Sequence, residues 1–545
     1  MIEKTAAPPV NQVDLAIFTF DHDHGVPARE LQGLLGGKGA GLAEMTSALG
    51  MSVPPGFTIP LTVCRAYRES GWPEGLESML ETHMADLGDR MGRRFGDADD
   101  PLLVAVRSGA PISMPGMLDT VLNLGLNDDT VLGLAAVSGD AVFAWDSYRR
   151  FIHMFAVTVL GVAADELPAC DDVESVDALQ HHVALAKAAV RRAAGETIPS
   201  DPHEQLRRAV VAVFESWESP RAKAYRAKEG IDENMGTAVN VQAMVFGNRG
   251  DNSGTGVVFT RNPSTGENQP YGDYLPKAQG EDVVAGTAHT LHIDELNTVA
   301  PEAYAQLSAA LRRLEIHYRD MCDVEFTIEA GRLWLLQTRA GKRTATAAVK
   351  IAVDLVADED VRLSPQEAAA SVSEELRARA RQEVLAQASH HHDGEGPLTV
   401  GLGASPGRVS GKIVLDSEAA ADADCDVILV RPQTSPEDVA GMASSVGILT
   451  TTGGLVSHAA VVARGWHLPA VVGARDVKIA GDTVSVGDHI LRAGDTITID
   501  GRTGEVWAGE LAQLDVDHDA DDYLSERLPE LAIIEAWATG SAGAP

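Results

Sequence analysis

The sequence predicts a multidomain protein of mixed α/β and α+β architecture, and three observations carry that prediction. At 545 residues the chain is too long for one hydrophobic core. Glycine- and proline-punctuated aliphatic runs continue to about residue 342, as in a mixed region of strands and helices. From Leu398, short aliphatic strands alternate with short helices, the pattern of a small separate α/β domain.

Within 1–342, "AWDSYRRFIHMFAVTVLGV" and "DPHEQLRRAVVAVFESWESPRAKAYRAKEG" place apolar residues three and four apart, so residues 140–230 read as helices, with a helical subdomain over about 113–197. After Arg343, "TATAAVKIAVDLVADE" and "SPQEAAASVSEELRARARQEVLAQA" read as two helices, the second starting at Ser364 with Pro365 in its first turn. The break "SHHHDGEGP" marks a linker, and 343–397 is the expected hinge; His390, His391 and His392 read as a solvated part of it and not as a metal site. Residues 398–512 hold the strands "GKIVL", "DVILV", "VGILT", "PAVVG", "TITID" and "GEVWAG", with helices "SPEDVAGMAS" and "HAAVVARG" between them. The rest, 513–545, is an acidic, partly helical tail.

Composition narrows the function. Forty-four basic against 79 acidic residues give a net charge of −35, which argues against nucleic-acid or anionic-membrane surfaces. A polar start and the lack of a long apolar stretch predict a cytoplasmic protein. Cys64, Cys170, Cys322 and Cys425 lack CxxC spacing and read as reduced, mostly buried thiols.

Four stretches have the makings of a phosphate or magnesium site. In "LLGGKGAGLAEM", glycines and Lys38 run into a helix; this is a phosphate cradle or a structural glycine turn, and it is not a Walker A loop, since Gly39 follows the lysine. In "LLVAVRSGAPISMPGMLDTVLN", a strand delivers Arg107 toward a Ser-Gly loop, either to grip phosphate oxygens or to end the strand. In "DNSGTGVVFTRNPSTGEN", Ser253, Gly254, Thr255 and Gly256 form a polar glycine loop over phosphates or a tight hairpin turn. In "MCDVEFTIEAGRLWLLQTRAGKR", two strands joined by "EAG" put Asp323, Glu325 and Thr327 on one face, and Gln337 and Arg339 on one face of the partner strand, a set of hard oxygens suited to magnesium carrying ATP phosphates. Finally, "TTGGLVSHAAVVARG" sets a tight Gly453-Gly454 loop before a helix that Ser457 can cap and Gly465 ends. His458 falls in its first turn, where a phosphoryl group on the imidazole would meet free amides and the positive end of the dipole. Read alone, that histidine can equally be structural.

Taken together, "LLGGKGAGLAEM", "VPPGFTI", "VRSGAPISMPGMLDTVLNLGLND", "DSYRRFIHMF", "GTAVNVQAMVFGN", "SGTGVVFTRNPSTGEN", "AQGEDVVAG", "DVEFTIEAGRLWLLQTRAGKRTA", "GLGASPG", "TSPEDVAGM" and "GGLVSHAAVVARG" resemble the pyruvate phosphate dikinase family from about Leu34 to Gly509. The resemblance implies an ATP-grasp nucleotide domain over 1–342 and a swivelling phosphohistidine domain over 398–512. It implies phosphate ligands at Lys38, Arg107 and Arg339 and magnesium ligands at Glu325 and Gln337, with Asp323 beside them. Gln242 and Met244 would lie near the adenine, Glu281 would belong to the nucleotide site, and His458 would be phosphorylated. Family chemistry makes ATP, inorganic phosphate and Mg2+ the expected reactants and cofactors, with AMP and pyrophosphate as products.

Two departures stand out. Val456 replaces the family's threonine two residues before the histidine. The family's C-terminal (β/α)8 barrel, on the order of 250 residues, does not follow, so the acceptor, pyruvate or phosphoenolpyruvate, is expected on a separate polypeptide. The alternatives are direct transfer to another small molecule and a catalytically silent nucleotide-binding regulator.

Overall fold

In the computed structural model, residues 15–112, 114, 117–169, 175–285, 290–388, 396–455, 457–510 and 520–540 are described. Cys170, the histidines at 390–392 and Val456 lie outside them. The chain divides into two units, 1–245 and 246–545.

The first unit is built on an antiparallel sheet of β1 (Phe18–Thr19), β2 (Gly56–Ile59), β3 (Val104–Gly109), β4 (Thr120–Leu124) and β5 (Ala238–Ala243), in the order β1-β2-β5-β3-β4. Central β5 is buried along its whole length, so its two polar residues can find partners only within the protein, and Asn240 does so through its oxygen alone, its Nδ2 having none. Asn240 Oδ1 accepts from Thr58 Oγ1 at 2.8 Å, and Gln242 Nε2 donates to Pro54 O at 3.1 Å. Helix α1 (Gln32–Ala43) packs on that face through glycines. Gly36 breaks the helix at φ 70°, and a Cβ there would run into Gly109 O; a Cβ on Gly39 would stand 2.9 Å from Asn240 Oδ1. The expected helical run follows as Thr130–Ser138, Ala141–Thr158, Val176–Ala194, Pro202–Ser216 and Pro220–Glu229. The last four start on capping side chains, Asp140, Ser175, Asp201 and Ser219, each worth about 1 kcal/mol.

The second unit opens with a five-stranded antiparallel sheet, β6 (Gly254–Phe259), β7 (Tyr271–Pro276), β8 (Leu291–His292), β9 (Cys322–Glu329) and β10 (Arg332–Ala340), in the order β8-β7-β6-β9-β10. Helix α2 (Ala345–Ala357) buries Ala347, Ile351 and Leu355 against Val257 and Phe259 of this sheet. Its opposite side joins α3 (Pro365–Ser371) and α4 (Glu374–Ala388). The single helix expected from Ser364 is thus two. Ser364 does form a capping box with Glu367, but Val372 is extended and the Ser373 hydroxyl caps a fresh start, accepting from Leu376 N at 3.2 Å.

Past residue 397 lies an eight-stranded sheet of β11 (Thr399–Val400), β12 (Leu402–Ser405), β13 (Arg408–Val414), β14 (Val427–Arg431), β15 (Gly447–Thr450), β16 (Ala470–Val472), β17 (Thr496–Asp500) and β18 (Glu505–Ala508), ordered β11-β18-β17-β13-β14-β15-β16-β12. Its core is parallel, β13-β14-β15-β16, and helix α5 (His458–Trp466) connects the last two of these strands. The six expected strands all form. A small three-stranded sheet over 477–492, which the sequence reading did not resolve, is inserted between β16 and β17.

The tail is no appendage. Helices α6 (Ala520–Arg527) and α7 (Pro529–Thr539) return to α2–α4, where Leu528, Leu531, Ile534 and Trp537 share a core with Val349, Ala380 and Val384. Ion pairs Lys350–Glu530 at 3.5 Å and Arg381–Glu535 at 3.0 Å rim it. The chain on both sides of the eight-stranded domain therefore folds into one helical module.

Candidate functional site

The hairpin β9–β10 turns through Ala330 and Gly331, both at positive φ, so two residues reverse the chain. Its register pairs Asp323 with Arg339 and Glu325 with Gln337, which sets all four on one face. Beyond β9 the rows continue through Phe259 to Tyr271 and through Val257 to Asp273. The face thus carries two adjacent rows, Tyr271-Phe259-Asp323-Arg339 and Asp273-Val257-Glu325-Gln337. Arg339 Nε donates to Asp323 Oδ2 at 2.7 Å. Burial pulls the Arg339 guanidinium down, but Asp323 and Glu325 outweigh it and hold it above its ordinary value. Asp323 is 5% and Gln337 3% exposed, yet Asp323 Oδ1 and Gln337 Oε1 have no hydrogen-bond partner. Buried bare oxygens are costly unless something binds them, and this set, with Glu325, fits a hard divalent cation such as Mg2+.

The expected phosphate loop at 253–256 is a correction. Gly254, Thr255 and Gly256 lie in β6, paired on both sides with β7 and β9, so their amides belong to the ladders and cannot cradle phosphate. The glycines answer to packing: a Cβ on Gly254 would strike the Tyr274 hydroxyl, and one on Gly256 would stand 2.6 Å from the Phe326 ring. Ser253 Oγ accepts from Ala330 N at 2.9 Å and so fastens the β9–β10 turn. Thr255 Oγ1 donates to Phe326 O at 3.0 Å. Glu281 is in the first turn of the helix Gly280–Ala285.

In the first unit, Arg107 stands inside β3, paired with Thr120 and Asn240, and not in a loop beyond the strand. The break at Gly36 sets Lys38 beside Gly109, two residues along on the same face. Gln242 faces the same side, its amide bonded to Pro54, and Met244 lies just past the end of β5.

His458 is the first residue of α5 and is 8% exposed. Gly453, at φ 95°, makes the tight turn before it. Ser457 holds the cap position, but its side chain makes no capping bond, and the helix runs through Gly465 to end on left-handed His467. The imidazole Nδ1 is 3.0 Å from Thr434 Oγ1, while buried Nε2 has no partner. Thr434, from "TSPEDVAGM", was missed as a site residue; it is 24 residues away, and only the sheet brings it under the ring. Its hydroxyl fixes the ring and leaves Nε2 free to react. Thr434→Val strands a buried nitrogen and is expected to slow any reaction at Nε2 about 10–100-fold, with Thr434→Ser near wild type, read by single-turnover kinetics.

Burial pushes His458 down to about 4, with Asp438 and Glu437 pulling the other way. The ring is therefore neutral and nucleophilic at pH 7. In the unfolded chain histidine titrates near 6.5, so above that pH the two states bind protons equally. As pH falls from there toward 4, only the unfolded state takes up the proton, and stability declines, by roughly 2 kcal/mol at pH 5. Urea unfolding at pH 7 and pH 5 should show a loss larger by about this amount in wild type than in His458→Gln, where His153 and His467, also held below the ordinary value by burial, still contribute.

The loop carrying His458 rests on the acidic face of the β6–β10 sheet. A Cβ on Gly454 would stand 2.6 Å from Asp273 Oδ2, and the Arg464 guanidinium lies over the Phe259 ring, 5.5 Å from its centre. The structure thus brings the histidine element and the Asp323-Glu325-Gln337-Arg339 face together within the second unit.

Among the described residues no helix is long and apolar enough to cross a membrane. A family model for the pyruvate phosphate dikinase AMP/ATP-binding domain matches residues 32–87, 68–297 and 293–360. A second, for the mobile domain of PEP-utilising enzymes, matches 423–504. The chain is 47% identical over 529 residues to pyruvate, phosphate dikinase of Rhizobium meliloti (strain 1021), covering 91% of this chain and 58% of the relative. It is 44% identical over 543 residues to the chloroplastic pyruvate, phosphate dikinase of Flaveria pringlei, covering 95% and 56%, and 44% identical over 537 residues to pyruvate, phosphate dikinase 2 of Zea mays, covering 93% and 59%. It thus spans between 56% and 59% of the length of these relatives. The family uses ATP and Mg2+. With the matched nucleotide region reaching through the β9–β10 face and the matched mobile domain carrying His458, the chain belongs to the pyruvate phosphate dikinase family of phosphotransferases.

Proposed function

We propose that this chain catalyses phosphorylation of its own His458 by ATP and inorganic phosphate, releasing AMP and pyrophosphate, and passes the phosphoryl group to pyruvate. The observation that carries this reading is the imidazole itself: Nδ1 engaged by Thr434, Nε2 buried and unpaired, and the ring held neutral at a helix start that rests on the Arg339-bearing face. Nε2 attacks the β-phosphorus of ATP as the bond to the α-phosphate bridging oxygen breaks, and AMP leaves. Inorganic phosphate then takes the terminal phosphoryl group as pyrophosphate, leaving phosphohistidine. Lys38, Arg107 and Arg339 offset the phosphate charge in an otherwise acidic chain, and the first amides of α5 favour the anion formed on Nε2. Glu325 and Gln337, with Asp323, would hold Mg2+, which supplies charge neutralisation on the phosphate oxygens. Gln242, Met244 and Glu281 are proposed to contact the nucleotide.

Transfer to a different small molecule through an acceptor domain between nucleotide and histidine regions is not favoured, since 345–388 is occupied by α2–α4 and their shared core with the tail. The test is intact-protein mass after incubation with Mg2+ and ATP, with and without phosphate, with AMP and pyrophosphate assayed alongside. A labile adduct in wild type, absent in His458→Ala, is expected; a folded, ATP-binding protein that gives neither adduct nor AMP overturns the reading in favour of a silent regulator. If the acceptor acts from a separate polypeptide, adding a phosphoenolpyruvate-binding barrel and pyruvate discharges the adduct.

A further inference from the structure

Arg464 stands six residues after His458 on α5 and is 2% exposed. Its Nη1 donates to Ala404 O at 3.0 Å and its Nη2 to Leu455 O at 2.6 Å, while Nε has no partner. Leu455 lies in the turn that precedes His458, so this guanidinium ties that turn to β12. Its plane also lies over Phe259, the residue that stands between Tyr271 and Asp323 in the cross-strand row. Asp323 is the carboxylate that grips Arg339 and keeps one buried oxygen bare. The neighbouring residue on α5, Gly465, meets the flexible end of the Lys342 side chain, just past β10. This side of the helix is therefore the one pressed to the sheet.

We infer that Arg464 is a positioning residue for loading of His458: it is the cation through which the histidine domain recognises the Tyr271-Phe259-Asp323 row, and through Leu455 it couples that recognition to the turn presenting the imidazole. The inference rests on the autophosphorylation reading. Away from the row, the open edge of the guanidinium can be hydrated; on the row it is desolvated, and only the carboxylates there offset the cost. Docking is thus selective for an anionic face. Burial pulls Arg464 down to about 10 against the opposing pull of Tyr271, Asp323 and Asp273, as expected of a desolvated cation kept charged by those neighbours.

Two measurements on the full chain test this. Spin labels at exposed Ile490 and Val299, introduced as cysteines in a Cys170→Ser, Cys425→Ser background, report the distance between the histidine domain and the β6–β10 region without any reaction. Arg464→Gln should move at least about half of the short-distance population to longer distances, and Arg464→Lys distinctly less. In single turnover with Mg2+ and ATP, Arg464→Gln should phosphorylate His458 about 30-fold more slowly, with ATP affinity within about twofold of wild type and labelling of His458 by phosphoramidate within about threefold. A distance profile that superimposes on wild type, or a loss of phosphoramidate labelling as large as the loss with ATP, overturns the inference, the second because it leaves Arg464 only a role in holding the turn. If wild type is not phosphorylated by ATP, the function reading fails, and the distance measurement alone decides the docking role.

Discussion

Arg339→Met is expected to lower the single-turnover rate of His458 phosphorylation by about 10³ in a protein that still folds, at a cost in stability from the stranded Asp323 carboxylate. The residue does two things at once. On the proposed reading it offers a planar cation to the phosphates, and it neutralises Asp323 through the 2.7 Å bond from Nε to Oδ2. Removing it takes away the first and leaves the Asp323 carboxylate without its cation at the proposed phosphate site. Arg339→Lys should recover only part of the rate, since an ammonium cannot hold the carboxylate with one edge and phosphate oxygens with another. The two contributions separate in the pair Arg339→Met, Asp323→Asn, which should regain about tenfold over Arg339→Met alone if the stranded carboxylate matters. A loss below about tenfold in the single variant would remove Arg339 from the phosphate-binding set.

The largest effect on stability is expected at the ion pair behind the sheet. Arg261, 1% exposed, donates through Nε to Glu315 Oε1 at 2.7 Å and through Nη2 to Oε2 at 3.2 Å. Glu315 also accepts from Thr260 Oγ1 at 3.1 Å, and Asp354 of α2 approaches Arg261 Nη1 at 3.4 Å. The pair binds the end of β6 to the helix Pro301–Tyr318 and to α2. Glu315→Ala leaves a guanidinium buried beside only the more distant Asp354, and unfolding of this unit should lose about 3–5 kcal/mol. Replacing both partners by apolar residues of similar volume, Arg261→Met with Glu315→Leu, should recover most of that loss, because the cost lies in the uncompensated charge and not in the absence of the bridge. Calorimetry of the wild type and both variants checks the sign and the order.

Much of the candidate site was legible in the sequence wherever its geometry is local. Period-two alternation placed Asp323 and Glu325 on one face and Gln337 and Arg339 on one face of the partner strand, and the structure pairs them as Asp323–Arg339 and Glu325–Gln337. The same holds for His458 at a helix start after a glycine turn, for the helix start at Ser364 with Pro365 in its first turn, and for the six strands of the histidine domain. Each depends on backbone dihedrals and on neighbours a few residues away, which composition and spacing record.

What the sequence could not carry are contacts between residues remote along the chain. Gly254 and Gly256 look like a loop because glycine usually marks one, but here they make room for the rings of Tyr274 and Phe326 inside a sheet. Thr434 becomes the partner of His458 only when parallel strands set their C-terminal ends side by side. The tail reads only as acidic and partly helical, and nothing in it says that Leu531, Ile534 and Trp537 find their core on α2–α4. Local sequence determined the elements and the chemistry each can offer; burial against distant partners, which is where most of the free energy of packing lies, decided which glycines are structural, which hydroxyl orients the histidine, and which face of α5 meets the nucleotide region.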